Sequence, residues 1–173
     1  QGFACTKQIK ISNKGWPAQQ LERYILPIGI SLNAEQFRLS LPINILKTIQ
    51  ENHPKGDGPL ILLAPKPKTQ DWPNEDWELL QEAIKNRFPA FRFATLPKET
   101  SIIQQAAEVA CADIVISNCS TIQILTVYSG VTLLALGSNS NTLPRRQEIR
   151  HIFASKGSLS ELNIKEVLFA LKF

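Results

Sequence analysis

The apolar and polar positions of this chain change period several times, and the changes mark out its elements. Leu60-Ile61-Leu62-Leu63-Ala64, Ile114-Val115-Ile116 and Val131 to Leu136 are continuous apolar runs, as strands buried on both faces require. Phe91-Arg92-Phe93-Ala94-Thr95 alternates, as a half-covered strand does. Helical spacing fills the intervals. Trp77, Leu80, Ile84 and Phe88 form one stripe, widened by Leu79 and Ala83. Ile102, Ile103, Ala106, Ala107, Val109 and Ala110 form a second, and Ile122 to Ser129 is apolar almost all round. Strands alternate with helices and no hairpin signal intervenes. The pattern predicts an α/β fold, a Rossmann-like doubly wound parallel sheet with strands near 60–64, 91–95, 113–117 and 131–136.

The polar punctuation sets expected boundaries. Asn74 reads as a helix N-cap with Glu75 and Asp76 in the first turn, Thr100 or Ser101 as the next, and Ser120 or Thr121 as the third. Gly130 suits a left-handed helix end, and Asn163 with Glu166 forms a capping-box pattern for the last helix, through Val167, Leu168 and Leu171. Toward the start, short strands are expected around Phe3-Ala4-Cys5 and Ile9-Lys10-Ile11. A helix should follow over Ala18 to Ile28, ended or kinked by Pro27 and stopped at Gly29. Phe37, Leu39 and Leu41 alternate like an edge strand, and Pro42 to Gln50 suggests a helical turn or two. After Gly137 comes a polar loop to Pro144, and from Arg145 no period is visible.

Composition narrows the function classes. The chain has 173 residues, 43% hydrophobic and 20% charged, enough for one domain with a real core. No apolar run approaches the ~20 residues that span a bilayer. Three cysteines, Cys5, Cys111 and Cys119, lack CxxC spacing, and two histidines stand far apart at 53 and 151. That fits a reducing cytosol and gives no metal site. A net charge of +4, interspersed rather than blocked, is a mild preference for anionic partners and no nucleic-acid signature. A chain that opens on Gln1 and contains no methionine is expected to be a piece of a longer protein.

The candidate chemistry sits in the turn Ser117-Asn118-Cys119-Ser120-Thr121. A strand, polar turn and helix put the free N–H groups of Ser120, Thr121 and Ile122 at the carboxyl edge of a parallel sheet, where nucleotide phosphates bind. Lys66 and Lys68 leave a neighbouring strand and could complete an anion site. The bland alternative is a sheet core with a well-capped helix and two solvated lysines. Trp72 and Trp77 read better as core and rim packing than as platforms for a base. No GxGxxG joins a strand to a helix, and no acidic cluster marks the strand ends. Nicotinamide-binding and phosphorelay-receiver readings are therefore weak.

Two loops carry a family resemblance: LILLAPKPKTQDWPNEDWELL, Leu60 to Leu80, and the SNCSTIQILTVYSG turn, Ser117 to Gly130, within Asp113 to Gly137. Together they resemble the C-terminal half of glycosyltransferase family nine, the ADP-heptose:lipopolysaccharide heptosyltransferases. The closing Leu162-Asn163-Ile164-Lys165-Glu166-Val167 and the opening Gly2-Phe3, Glu22-Arg23-Tyr24 and Gly29-Ile30 are also similar to that family. The resemblance implies the C-terminal domain of a two-domain GT-B glycosyltransferase. Residues 1–50 would be the connection from an N-terminal half, and 51–173 the Rossmann-like domain that holds a nucleotide diphosphate sugar, most readily an ADP-sugar. The N-terminal half would supply the acceptor site and the catalytic carboxylate. No cofactor or metal is expected, the location would be cytoplasmic, and a lipid-linked acceptor would bring peripheral membrane contact.

The implied donor-binding residues are Lys66, Lys68, Asn118, Cys119, Ser120, Thr121 and Ile122. Asn118, Ser120, Leu125 and Gly130 agree with the family turn, but its acidic residue is Cys119, its glycine Thr121 and its histidine Ile124. Pro65-Lys66-Pro67 stands where the family has Pro-Gly. A thiol and an aliphatic chain cannot make the hydrogen bonds of a carboxylate and an imidazole. Two readings stay open: the donor domain of an inverting heptosyltransferase-like enzyme, inactive alone, or a catalytically degenerate relative kept as a binding or structural module.

Overall fold

The computed structural model describes residues 12–66, 72–97, 100–137, 142–153 and 159–171. Five parallel strands, β1 (Leu60–Ala64), β2 (Arg92–Thr95), β3 (Ile114–Ser117), β4 (Thr132–Leu136) and β5 (Ile149–Ile152), form one sheet in the order β2-β1-β3-β4-β5. The apolar runs lie where the pattern put them. All of β1 and β3 is buried, because helices cover both faces. The helices are α1 (Pro17–Ile25), α2 (Ile43–Asn52), α3 (Asn74–Arg87), α4 (Ile102–Ala110), α5 (Ser120–Ser129) and α6 (Ile164–Ala170). None among the described residues is long and apolar enough to cross a membrane.

Alternation along the strands sorts the core into two layers. Ile61, Leu63, Ile114, Ile116, Leu134 and Leu136 face α3 and α6, meeting Trp77, Leu80, Ile84, Val167 and Leu171. Leu62, Ala64, Val115, Leu133 and Ala135 face the other way, toward Trp16, Ala18, Val109, Ile122 and Val127. Each fully buried Leu or Ile contributes roughly 1.5–3 kcal/mol of transfer free energy, so this double layer is the main stabilising term. Trp72 and Trp77 pack edge to face, 5.1 Å between ring centroids, and both are buried, as the packing reading required. Residues from 12 onward belong to the same body, since Trp16, Ala18 and Ala34 are buried in the α4–α5 layer.

Several boundaries differ from expectation. Ser120 and Thr121 are not caps: the N-cap of α5 is Cys119, without a side-chain cap bond. The hydroxyl of Ser117 takes the Cys119 N–H at 3.0 Å, which starts the helix one residue early. Pro73, not Asn74, is the N-cap of α3, and Pro is well suited to the extended backbone there. Ser101 does cap α4, in a full capping box with Gln104. Asn163 caps α6 by accepting from Lys165 N at 2.9 Å rather than from the Glu166 amide. α1 stops at Ile25 and gives way to a tight turn over Leu26–Ile28, as Pro27 dictates.

Other departures follow from tertiary context. Phe37, Leu39 and Leu41 are partly buried and alternate with exposed Arg38 and Ser40, yet among the described residues they join no strand. Leu39 N donates to Tyr128 O at 3.0 Å, so this extended segment lies along the end of α5 instead of the sheet edge. Pro42 to Gln50 grows into the full helix α2. Leu79, at 52% exposure, Ile102 and Ile103 point outward rather than widening their stripes. The strand β5 was not predicted at all, because Arg150 and His151 break its apolar run. The strands expected at Phe3–Cys5 and Ile9–Ile11 lie outside the described residues.

Helix α2 has no fully buried residue of its own. It is held to α4 by a hydrogen-bonded pair, His53 Nε2 to Glu108 Oε2 at 2.6 Å, with both side chains about nine-tenths buried. Cys111 lies alongside, its thiol directed at Leu46 O at 3.7 Å. Burial first, and then the Glu108 charge, push the Cys111 thiol above its ordinary value of 9.0.

Candidate functional site

In the order β2-β1-β3-β4-β5 the chain winds one way from β1 and the other way from β3, so the direction reverses between those two strands. In doubly wound sheets the crevice beyond the carboxyl ends of such a pair is where ligands bind. The loops that leave this pair are the two that the sequence singled out, after Ala64 and after Ser117. Ala64 and Ser117 are register partners, and the Ser117 hydroxyl donates to Ala64 O at 2.7 Å. One step further out, Lys66 N donates to Asn118 Oδ1 at 2.7 Å. The crevice is thus closed at its base by two hydrogen bonds that cross from one strand end to the other.

The start of α5 is fixed from below. Gln123, fully enclosed, donates its Nε2 to Ser117 O at 2.8 Å and to Leu136 O at 3.4 Å, linking the ends of β3 and β4 through one side chain. Thr126 returns its hydroxyl to Ile122 O at 2.7 Å. At the other end Gly130 is left-handed, φ 71°, and a Cβ there would meet Arg38 Nε at 3.1 Å. A helix so buried needs this sharp exit to feed β4.

Against this frame each predicted residue has a place. Ser120 and Thr121 are exposed in the first turn of α5, and Ile122 is buried, so only its backbone N–H is on offer. The first amides of an α-helix have no partner within it, and Cys119 supplies no side-chain cap, so this end presents unshared donors and partial positive charge. Lys66 is exposed at the crevice rim, joined to Asn118 through its backbone. Lys68 lies outside the described residues. Cys119 is a half-buried free thiol packed on the α4–α5 layer, and Ile124 packs there too, so two of the three departures from the family turn sit against apolar surroundings, while the third, Thr121, is exposed.

The other flank of the α5 N-terminus carries a cleft of about 450 Å³ that no motif signalled. Ser120, Thr121, Gln123 and Ile124 form one wall, Gly15, Pro17 and Gln20 the second, and Thr142 and Leu143 the third. Lys66 and Asn118 do not line it. The signal that was present is Gly15-Trp16-Pro17. Gly15 has φ +98°, a left-handed conformation that favours glycine, and a Cβ there would meet the movable end of the Gln19 side chain, Oε1 at 2.5 Å. Further along the same edge, burial and then the Arg145 charge hold the His151 imidazole below its usual 6.5. Among the described residues no three His, Cys, Asp or Glu side chains gather as metal ligands would.

Three solved structures from E. coli share this fold. Heptosyltransferase WaaC with ADP-2-deoxy-2-fluoro heptose matches at TM-score 0.58 and 18% identity, over 89% of this chain and 54% of that one. ADP-heptose lps heptosyltransferase II matches at TM-score 0.64 and 17% identity, over 91% and 61%. WaaC with ADP matches at TM-score 0.65 and 17% identity, over 96% and 59%. The chain therefore spans little more than half the length of the proteins it resembles. No family model matches the chain, and no curated protein sequence does. The likeness is one of fold, and it bears out the Rossmann-like parallel sheet, similar to that of these heptosyltransferases, that the two loops implied.

Proposed function

We propose that this chain is the donor-binding domain of a heptosyltransferase-like GT-B glycosyltransferase, holding a nucleotide diphosphate sugar for inverting transfer to a glycan or lipopolysaccharide acceptor. The observation that carries the reading is the reversal crevice, where Lys66 and Asn118 are joined beside the uncapped start of α5. Amides of Ser120, Thr121 and Ile122 would meet the diphosphate, and Lys66 and Lys68 would add charge that stabilises it as it departs. The acceptor site and general base would come from an N-terminal half, connected through residues 1–50, on the cytoplasmic side of a membrane that carries the acceptor lipid. Two neighbours of this fold were solved with ADP or an ADP-heptose analogue, which supports an ADP-sugar as the donor class.

One observation favours a second reading. Cys119 and Ile124, where the resembled family has an acid and a histidine, are packed against the apolar layer. A module that keeps the fold and has lost transfer chemistry fits those two positions better. Calorimetric titration of the chain with ADP and with UDP separates the readings. Binding of ADP, with amide shifts at Lys66, Asn118 and residues 120–122, supports the donor domain. No heat with either nucleotide at millimolar concentration leaves the degenerate module.

A further inference from the structure

Helix α2 is ten residues long and fully buries none of its own side chains, although a helix of that length needs tertiary packing to persist. Ile45, Leu46 and Ile49 are only half-buried, and Ile43 is 71% exposed. Helix α4 opens in the same way, with Ile102 53% and Ile103 51% exposed. Isoleucine is a mediocre helix former, so local propensity gives no reason for it at two exposed helix starts. Between the two helices runs a groove of about 430 Å³, with Ile45, Ile49 and Ile103 on its walls. Ile43 and Ile102 each adjoin a lining residue in the chain, Asn44 and Ile103.

The polar groups of this groove are largely spent inside the chain. Thr48 donates its hydroxyl to Asn44 O at 3.0 Å. Ser101 and Gln104 serve the capping box of α4, where Gln104 Oε1 accepts from Ser101 N at 3.0 Å and Gln104 N donates to Ser101 Oγ at 3.3 Å. Among the described residues no charged side chain lines the groove. A charged ligand finds no counter-charge on these walls, and an apolar surface is the better fit. The charges stand just outside. Lys47 and Glu51 are exposed and lie three residues on from Asn44 and Thr48, which at helical spacing sets them along the groove's outer flank. One charge of each sign leaves this flank neutral on a chain whose net charge is +4.

We propose that the α2–α4 face is the contact between two copies of this chain, related by a twofold axis. Such an interface has to be self-complementary, and this face meets that condition in both shape and charge. It offers a groove together with exposed isoleucines beside it. A twofold axis across α2 sets the helix antiparallel to its counterpart, which brings Lys47 toward Glu51 of the partner subunit and closes the apolar side chains over the two grooves. Two chains of net charge +4 approach with least repulsion through a neutral face. The other exposed apolar face, Leu26 and Ile28 in the turn after α1, belongs to a helix already anchored through Ala18. Association through α2 and α4 does not depend on what the reversal crevice holds, because neither Lys66 nor Asn118 lines this groove.

Sedimentation equilibrium and light scattering of the 173-residue chain, from micromolar to millimolar concentration, read its mass in solution. The expected result is a monomer–dimer equilibrium. Ile43→Glu with Ile102→Glu changes the first residue of each helix, where a carboxylate is favoured, so the fold is kept, as circular dichroism verifies. This variant should weaken association by about tenfold or more. Lys47→Glu should weaken it about two- to fivefold, and adding Glu51→Lys should restore it. Leu26→Glu with Ile28→Glu, on the other apolar face, should leave it unchanged. The proposal is overturned if the chain is monomeric throughout, which would assign the face to a different partner, or if the folded isoleucine variant dimerises like the parent. It is equally overturned if the charge exchange restores nothing, or if the Leu26 and Ile28 changes abolish association instead.

Discussion

His53 and Glu108 are 55 residues apart in sequence and 2.6 Å apart in space, and they are the one buried polar tie among the described contacts between α2 and α4. Removing either partner strands the other away from water. We expect His53→Leu and Glu108→Leu each to cost about 3–5 kcal/mol in urea unfolding. The double variant should cost clearly less than their sum, since a buried polar pair can be replaced by apolar packing at little net loss. Additive costs would mean that the two residues act separately.

Gln123 is expected to be the most sensitive polar residue of α5. Gln123→Leu keeps the volume but leaves Ser117 O and Leu136 O without that donor, at about 1–3 kcal/mol. Thermal unfolding checks this. A loss much below 1 kcal/mol would show that water or another group serves those carbonyls.

Cys119 occupies an N-cap that it does not serve, so the change to aspartate has two separable effects. Cys119→Asp should stabilise α5 by roughly 0.5–2 kcal/mol, whatever the chain binds. Paired with Ile124→His it should also tighten ADP, whereas Lys66→Ala with Lys68→Ala should weaken it, both read by calorimetry. Stabilisation without any change in nucleotide affinity would confine the turn to architecture and favour the degenerate module.

His151 makes stability depend on pH with a definite sign. Its folded-state affinity for protons is lowered by burial and by Arg145, so the unfolded chain binds the proton more readily. Stability contributed by the neutral imidazole is present above its unfolded value of 6.5 and is lost as pH falls below it. Melting temperature should therefore drop between pH 7 and pH 5, and His151→Asn should flatten that drop. An unchanged slope in the variant would assign the acid sensitivity elsewhere.

The central strands were legible because complete burial leaves only one kind of residue acceptable in β1, β3 and β4. The edge strand β5 was not, since its exposed side tolerates Arg150 and His151, and composition then resembles a loop. Caps differ by one residue where a neighbour shapes the turn: Ser117 Oγ accepts from Cys119 N, and α5 begins at Ser120, so Ser120 and Thr121 lie inside its first turn instead of capping it. Lys66 and the turn from Asn118 could be paired beforehand because a βαβ pattern fixes where strand ends lie. The cleft that joins Gly15 to Gln20 with Thr142 and Leu143 could not. Those walls are some 120 residues apart and meet only through the packing of α1 on the α4–α5 layer.

The pairing of β1 with β3 also sets a schedule. The hydrogen bond from Ser117 to Ala64 joins positions 53 residues apart, and everything between them must be looped out before the sheet has a centre. Chain-closure entropy makes such non-local pairing slow, and pairing of β1 with β2 alone covers only one edge of β1. During synthesis β1 therefore emerges with its inner edge open until β3 arrives, and for that interval its LILLA run is an aggregation hazard. Folding of this chain should be limited by the arrival of Ile114–Ser117, so truncation just before β3 should yield insoluble chains rather than a smaller folded domain.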